Sequence, residues 1–551
     1  LETAAQRAFA IQQGLETRRS LHDTTWQDIA EFQMPSRALF TQRDPLYQSE
    51  LNRRLRIVDN TAEDAITICA DGIMSNYCPQ SMRWFGLELP PEALNDNASR
   101  RWSSDALDVL YYLLNDPAAQ FYQNIHMAIQ DWVAFGNACV FRGERLDSGG
   151  VFFQTRHLAE IYIDENSHGL VDTFHRLILM PVRHIIDTWG IDKLPMGLRK
   201  AWLEGKEVPN EWVLHIVRPR SIAERYGGNY SLGPRTMPWA SCYYLKCDMT
   251  ELSEGGFRDL PISYARWSTR TGDPYGVGPG VRALPDVRML NEIQRTMLKG
   301  AQKVVDPPLH VPSQGYLDPP RTFPGALNWF QGGTSDRITP LETKGRIDYG
   351  LQIAEKYQDK IKRVFYNDVF ETTDDSNGVN VKATFTMSRR DDKFRRLSNP
   401  GQRLVSELLA PTIMWLYRYA VQSGKIDPPP PKIANAVLKL TYQSPIARAQ
   451  RSGEVDDIQR LMELIAAPGQ IDPSVWHNFN FDRLAQTGAN RLLNVPAEIM
   501  NSQDEVDAKR EEMAQQQEQT AALQAAPQIA GALKDVGAAR QSLSAAANGS
   551  A

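Results

Sequence analysis

The chain has 551 residues, 42% of them hydrophobic, with 12 Trp, 19 Tyr and 19 Phe, which is enough apolar material for several domains or one elaborate body. Its 61 basic and 66 acidic side chains leave a formal charge of −5, which excludes a protein that grips nucleic acid over its whole surface, because such affinity comes from neutralising phosphates. Five scattered cysteines, Cys69, Cys78, Cys139, Cys242 and Cys247, argue against a disulfide framework and fit reduced thiols in a cytosolic protein.

Residues 4–32 carry Trp26, Ile29 and Phe32 at helical spacing and predict a helix, ended by the turn MPSR. A second helix is expected through NTAEDAITICADGIMSN, where Thr61 and Asp64 are spaced like a capping box. Two more follow over 99–114 and 118–135, divided by NDP. ACVFRGE and GVFFQTRHL flank RLDSGG, a hairpin pattern. Further strands are predicted in EIYIDE, DTFHRLILM, EWVLHIV, ASCYYLKC and PISYARWS, with short helices over 182–189 and 198–203 between them. This order is not a regular βαβ alternation, so the fold class is α+β. Cys242 and Cys247 lie five apart on a predicted strand and would face opposite sides, so no shared metal is expected.

A helix over 282–305 leads into a Pro/Gly-rich stretch, and a second helix follows over 348–370. So many prolines forbid helix between them, and the stretch is too long for a plain loop; a small β-containing module is expected at 306–347. The polar ETTDDSNGVNVKA comes next, then a long helix over 384–423 that SNPG should kink or break. More helix is expected over 455–466 and near Asn490. The Gln/Ala-rich 501–551 has almost no bulky apolar stripe and reads as a marginal helix or a disordered tail. The sequence shows no charged-then-apolar signal pattern, and its most apolar helix is interrupted by Glu407 and Arg418, so a soluble protein without a membrane partner is expected.

Gly276, Gly278 and Gly280 precede the helix over 282–305 and raise the question of a phosphate cradle. Pro279 removes an amide that a phosphate would use, no strand leads directly into the turn, and no Gly-Lys-Ser/Thr occurs; SGKID places Ile426 where the hydroxyl belongs. The nine histidines are dispersed, without HExxH or an i, i+4 pair, and no G-x-S-x-G elbow occurs. ETTDDSNG has Thr373 where a calcium loop needs its first Asp, and the adjacent pairs Asp374–Asp375 and Asp391–Asp392 read as solvated charge. Neither catalysis nor a cofactor or metal is expected.

The two middle helices carry more information. Val287, Leu290, Ile293, Met297, Ala301 and Val304 form an apolar stripe on the first, with Arg288, Arg295, Lys299 and Lys303 near the opposite side. On the second, Ile353, Tyr357, Ile361 and Val364 are apolar while Lys356, Lys360 and Arg363 share another face. One reading is a solvated amphipathic hairpin; the other is a basic girdle bracketing a projecting module.

In their order, DWVAFGNACVF, DPYGVGPGVRALPDVRMLNEIQRTMLKGAQKV, the helix–insert–helix–loop–helix arrangement, SPIARAQRSGEVDDIQRLMELIAA and DAKREEMAQQQEQ resemble the portal, or head-to-tail connector, proteins of short-tailed (podovirus-type) bacteriophages. The resemblance implies a portal fold assembled as a dodecameric ring around a DNA tunnel. In that scheme 1–281 is the N-terminal part of an α/β wing, 282–305 and 348–370 are the two-helix stem, and 306–347 is the clip. Residues 371–383 correspond to the tunnel loop, 384–445 to the rest of the wing, 446–500 to a helical crown, and 501–551 to a C-terminal barrel helix or disordered tail.

The implied function is a conduit for packaging and ejecting double-stranded DNA at one capsid vertex of the virion, following assembly in the host cytoplasm. Implied partners are further copies of the chain, double-stranded DNA, terminase, major capsid and scaffolding proteins, tail adaptor and nozzle proteins, and internal core proteins. Arg288, Arg295, Lys299, Lys303, Lys356, Lys360, Arg363 and, from the loop, Lys382 become candidate tunnel or stem cations. Gly276, Gly278 and Gly280 become a hinge-like corner between wing and stem, favoured by close packing between neighbouring subunits. The absent nucleotide motif fits a packaging ATPase carried by a separate terminase subunit. The alternative is a DNA-processing enzyme or an accessory subunit of the packaging machinery, which would need an acid cluster at metal-ligand spacing.

Overall fold

Thr3 starts the first helix: its hydroxyl accepts from the Gln6 amide at 3.2 Å, and the Gln6 side chain accepts from the Thr3 amide at 2.8 Å. The helix so capped, α1 (Ala4–Gln33), ends in a short turn at Pro35–Arg37, as the sequence predicts. The computed structural model describes residues 3–37, 40, 54, 56–90, 93, 96–145, 149–226, 233–306, 309–310, 339–340, 347–370, 395–433, 439–442, 458, 460–465, 481, 506 and 508–516. They fall into two units: one is Leu1–Trp84, Leu110–Gln422 and Gln443–Ile446, the other Phe85–Val109, Ser423–Tyr442 and Ala447–Ala551.

In the first unit, α2 (Thr61–Tyr77) is capped differently from the expectation. Asn60 is the cap residue and makes no side-chain cap bond; Asp59 accepts from the Thr61 amide at 2.9 Å instead, so Thr61 lies inside the first turn. After α3 (Asn97–Asn115) the chain turns at Asp116, whose carboxylate accepts from the Ala118 amide at 3.0 Å. This delays α4 (Phe121–Phe135) by three residues relative to the predicted start at 118. Nearly all of α4 is buried, including Ile125, Ile129 and Trp132.

Beyond β1 (Phe85–Glu88), which belongs to the second unit, the expected hairpin forms from β2 (Asn137–Arg145) and β3 (Gly150–Thr155). With β9 (Ile262–Arg266) they make a three-stranded sheet in the order β3-β2-β9. A second, five-stranded antiparallel sheet runs in sequence order through β4 (Ile161–Glu165), β5 (Val171–Met180), β6 (Glu211–Pro219), β7 (Trp239–Leu245) and β8 (Glu251–Phe257). Val213 and Leu214 of β6 point to opposite faces, and both are fully buried. One face packs Leu177, Leu214 and Ile216 with Leu15 of α1. The other packs Val213, Leu245 and Leu252 under α5 (Val182–Trp189) and near α6 (Met196–Leu203). β8 escapes the sequence reading because ELSEGGF has two glycines and two glutamates; it is a strand through its pairing with β7. β7 ends at Leu245, so Cys247 lies in the following turn, exposed, and not on the strand with buried Cys242.

α7 (Pro279–Val305) starts three residues earlier than predicted, and α8 (Ile347–Val364) ends six residues sooner than position 370. Tyr366 takes φ 60°, and a single turn follows at Asn367–Phe370. Phe365, Asn367 and Val369 are all buried, and alternate residues do not share one helix face, so the helix breaks. The break expected at SNPG falls directly before it: Arg395 is helical, Arg396 and Leu397 form a turn, and SNPG opens α9 (Ser398–Leu404), where a first-turn proline loses no hydrogen bond. A second distortion comes later, as a π-turn at Val405–Leu409 before α10 (Ala410–Gln422). Pro411 has no N–H for the Glu407 carbonyl, and the chain adjusts by bonding the Ala410 amide to Val405 O. Between α7 and α8 the described residues pair β10 (Leu309–His310) with β11 (Thr339–Pro340). The loop 371–383 with Lys382, and residues 384–394, lie outside the described residues.

In the second unit, β1 (Phe85–Glu88) pairs antiparallel with β12 (Lys439–Tyr442), a pairing the sequence did not suggest. The Trp102 indole donates to Asp427 O at 2.7 Å, and Lys432 contacts Asp96 at 2.8 Å. Hydrogen bonds from Lys432 and Ser99 hold the Asp96 carboxyl down at about 2. Residues 460–465 and 508–516 are helical, while the predicted helix near Asn490 and the tail beyond 516 lie outside the described residues. Antiparallel sheets with helices packed on them make the chain α+β. Among the described residues no helix is long and apolar enough to cross a membrane.

Candidate DNA-facing helix pair

Burial along α7 and α8 is graded. On α7, Val287 and Leu290 are 1% exposed, whereas Leu298 is 54% exposed and Val305 85%. On α8 the order is reversed: Tyr349 is 65% exposed, while Ala354 and Ile361 are buried, as is Phe365 just past its end. The pair is therefore rooted where α7 starts and α8 ends, and its other end stands clear of the described core. The apolar stripe expected along α7 is core only near this root, since Val304 is exposed.

The root is built from backbone. Gly136 closes α4 with φ 80°, its amide donating to Trp132 O at 3.0 Å, and this left-handed cap needs glycine. Gly278, extended at φ −101°, is the N-cap of α7 and lies against that cap: a methyl group added to it would come within 2.6 Å of Gly136 N and 3.0 Å of Val133 O. A methyl on Gly276 would strike the Gly136 carbonyl, and one on Gly280 the Ala134 carbonyl. Asn137 fastens the approach, accepting from the Gly276 amide at 2.7 Å and donating to Gly276 O at 2.9 Å, and Gln33 donates to Gly280 O at 3.0 Å. The close packing that the sequence reading assigned to a neighbouring subunit is thus made within the chain. It also answers the phosphate question: the amino end of α7 faces the carbonyl end of α4, so opposite dipole ends meet where a phosphate would sit.

The eight basic candidates divide into three groups. Arg288 pairs with Asp28 at 2.5 Å and lies over the Phe32 ring; Arg295 pairs with Glu292 at 2.5 Å and donates to Arg56 O at 3.2 Å. Lys360 contacts Asp286 at 2.7 Å, and that hydrogen bond raises its ammonium above the usual lysine range. These three tie the pair together or to its surroundings. Lys299, Lys303, Lys356 and Arg363 are exposed and have no ion pair among the described residues. Lys382 lies outside the described residues.

Asp28 and Asp286, which neutralise two of the candidates, and Asn137, which clamps the root, were not singled out by the sequence. The only signal for the clamp is the glycine directly after a long apolar helical run in DWVAFGN. A shallow groove of about 390 Å³ follows α7 along Leu284, Pro285, Arg288, Met289 and Glu292, without converging polar groups. Among the described residues no group of three or more His, Cys, Asp or Glu is placed to hold a metal.

The family model described as "Bacteriophage head to tail connecting protein" matches residues 5–500. The "Probable portal protein" of Bordetella phage BPP-1 is 26% identical over 517 residues, covering 93% of this chain and 91% of its own. The "Portal protein" of Salmonella phage epsilon15 is 23% identical over 546 residues, covering 97% and 96%. A solved structure described as "Neck of empty GTA particle computed with C6 symmetry" aligns with a TM-score of 0.38 at 11% identity, over 78% of this chain and 90% of that one.

Proposed function

Since this chain belongs to the bacteriophage head to tail connecting proteins, we propose that it is a portal protein, the conduit through which double-stranded DNA enters and leaves a capsid at one vertex. Copies assemble as a closed, dodecameric ring around a central tunnel. The helix pair α7/α8 is the stem, 306–347 the clip that docks terminase, 371–383 the tunnel loop, and the two sheets with α1 and α4 belong to the wing. Residues 384–445 complete the wing, 446–500 form the crown, and 501–551 extend from it. Capsid and scaffolding proteins contact the ring during assembly in the host, and tail adaptor and nozzle proteins after packaging; internal core proteins meet its inner side. The chain performs no catalysis of its own.

The observation that supports this reading best is the family match across residues 5–500, joined to a helix pair with a buried root, a bare far end and four cations without an ion pair among the described residues. A conduit has to let DNA slide, and each cation that neutralises a phosphate adds affinity and hence friction. Three of the eight candidate cations are neutralised within the chain, which leaves a sparse set to offset repulsion. Negative-stain microscopy of the purified full chain tests the reading. Rings with a central hole are expected; a strictly monomeric species under assembly conditions overturns it.

A further inference from the structure

The end of α8 is held in a conformation that its sequence does not favour. Tyr366 takes φ 60°, a left-handed conformation that strains a residue with a Cβ and that helix ends usually give to glycine. Its amide donates to Arg363 O at 3.2 Å, three residues back, and the Val369 amide donates to Tyr366 O at 2.9 Å, so the regular ladder of α8 stops here. Yet Tyr357, Ile361, Phe365 and Val369 recur every four residues. A helix running on to Phe370 would carry them along one stripe.

Contacts around the break hold the strain in place. The Tyr366 hydroxyl accepts from Arg282 Nη2 at 3.3 Å, and its ring lies 5.9 Å from that of Trp267, which packs on Trp132 at 4.4 Å. Asn367 is fully buried; with its amide turned to satisfy both groups, it donates to Ala65 O of α2 at 3.0 Å. Asp368 pairs with Arg396 at 3.2 Å. Phe370 seats its ring against Gly72 in the interior of α2, where an added methyl group would strike the ring. Glycine weakens a helix interior relative to alanine, so Gly72 keeps open the space that this ring fills. A strained residue persists only where its surroundings over-determine it. Here those surroundings oppose both the strain and an apolar pattern that runs straight through it, which is how one segment comes to have two packings of similar energy.

We propose that α8 has two lengths: the short one described above, latched by Tyr366, Asn367 and the seat of Phe370 on Gly72, and a long one, helical through Phe370 with that ring unseated. The added residues 365–370 carry the helix end about 9 Å further along its axis. The latch lies within one chain and does not depend on the conduit reading. The test places 4-fluorophenylalanine at position 370 of the full, unassembled chain and follows the ring by fluorine-19 NMR, with amide hydrogen exchange of residues 365–370 measured by mass spectrometry. A major seated signal and a minor free one are expected. Tyr366→Gly accepts the left-handed conformation without strain and disfavours helix, so it should diminish the free signal. Tyr366→Ala keeps the strain, loses the ring and hydroxyl contacts and favours helix, so it should raise the free signal several-fold without touching α2. Gly72→Ala should make the free signal dominant while amides 367–370 still exchange several-fold more slowly than in an unstructured peptide, because they have joined a helix. Exchange at the unstructured rate in Gly72→Ala means that the segment only frays and overturns the proposal. So does a free signal that fails to move in opposite directions in Tyr366→Gly and Tyr366→Ala.

Discussion

Asn137 and Gly276 exchange two hydrogen bonds, of 2.7 and 2.9 Å, between the first residue of β2 and the approach to α7. Asn137 is fully buried, so replacing it strands the backbone amide and carbonyl of Gly276 out of reach of water. Asn137→Ala should cost about 2–4 kcal/mol of unfolding free energy in chemical denaturation. A loss under roughly 0.5 kcal/mol would mean that the root relaxes to repair both bonds.

Two glycines on α7 should respond oppositely to alanine. Gly280→Ala drives a methyl into the Ala134 carbonyl and should destabilise the isolated chain by about 1–3 kcal/mol. Gly300→Ala meets nothing within 4 Å and should stabilise the same helix by roughly 0.5–1 kcal/mol. Melting curves of both variants, measured on unassembled chain, check the pair; equal shifts would contradict the packing described at the root.

The free and the paired cations should separate in DNA binding. Neutralising Lys299, Lys303, Lys356 and Arg363 together should flatten the dependence of DNA affinity on salt, by up to about 0.9 in log–log slope for each phosphate no longer neutralised. Arg288→Gln, whose partner Asp28 already neutralises it, should leave that slope unchanged and lower stability slightly. Fluorescence anisotropy with duplex DNA over a salt series gives both numbers. An unchanged slope in the fourfold variant returns these side chains to a solvated face.

Acid should destabilise the chain between about pH 6.5 and 4. Burial pulls His157 and His175 down to about 4 and His215 to about 3, so the folded chain binds fewer protons than the unfolded one in that window. Stability from these groups is complete above the unfolded histidine pKa and is lost as pH falls. Asp131 has the opposite sign: burial pushes its carboxyl up to about 6, and neither oxygen is hydrogen-bonded although Arg37 Nε lies 3.1 Å away. Three imidazoles outweigh one carboxyl. Denaturation from pH 7 to 4.5 should show falling stability, with a shallower fall in His215→Gln; parallel curves would remove His215 from the account.

What the sequence made legible follows from range. α1, α4 and the hairpin β2–β3 are written in local periodicity, and the two basic helices were visible for the same reason. The root of the pair was not, because Asn137 and Gly276 are 139 residues apart and neither has a distinctive pattern alone. The glycines at 276, 278 and 280 signalled a close backbone approach, but only the fold shows that the approaching backbone is the end of α4. SNPG marked a real helix break, because a proline is accommodated in the first turn of a new helix and not in the interior of a continuous one. Which cations are free depended on Asp28 and Asp286, acids that only the fold brings to Arg288 and Lys360.

The joint between α4 and α7 has one more property. At Gly136, Gly276, Gly278 and Gly280 it already uses the smallest residue, and backbone meets backbone with no side chain between. Most cores drift through paired losses and gains of methylene groups, so a mutation in either direction finds compensation. This joint has no such slack, because every substitution adds atoms and none can take them away. Selection can therefore reshape the outer length of the helix pair freely, but it can alter the socket only by wedging it open.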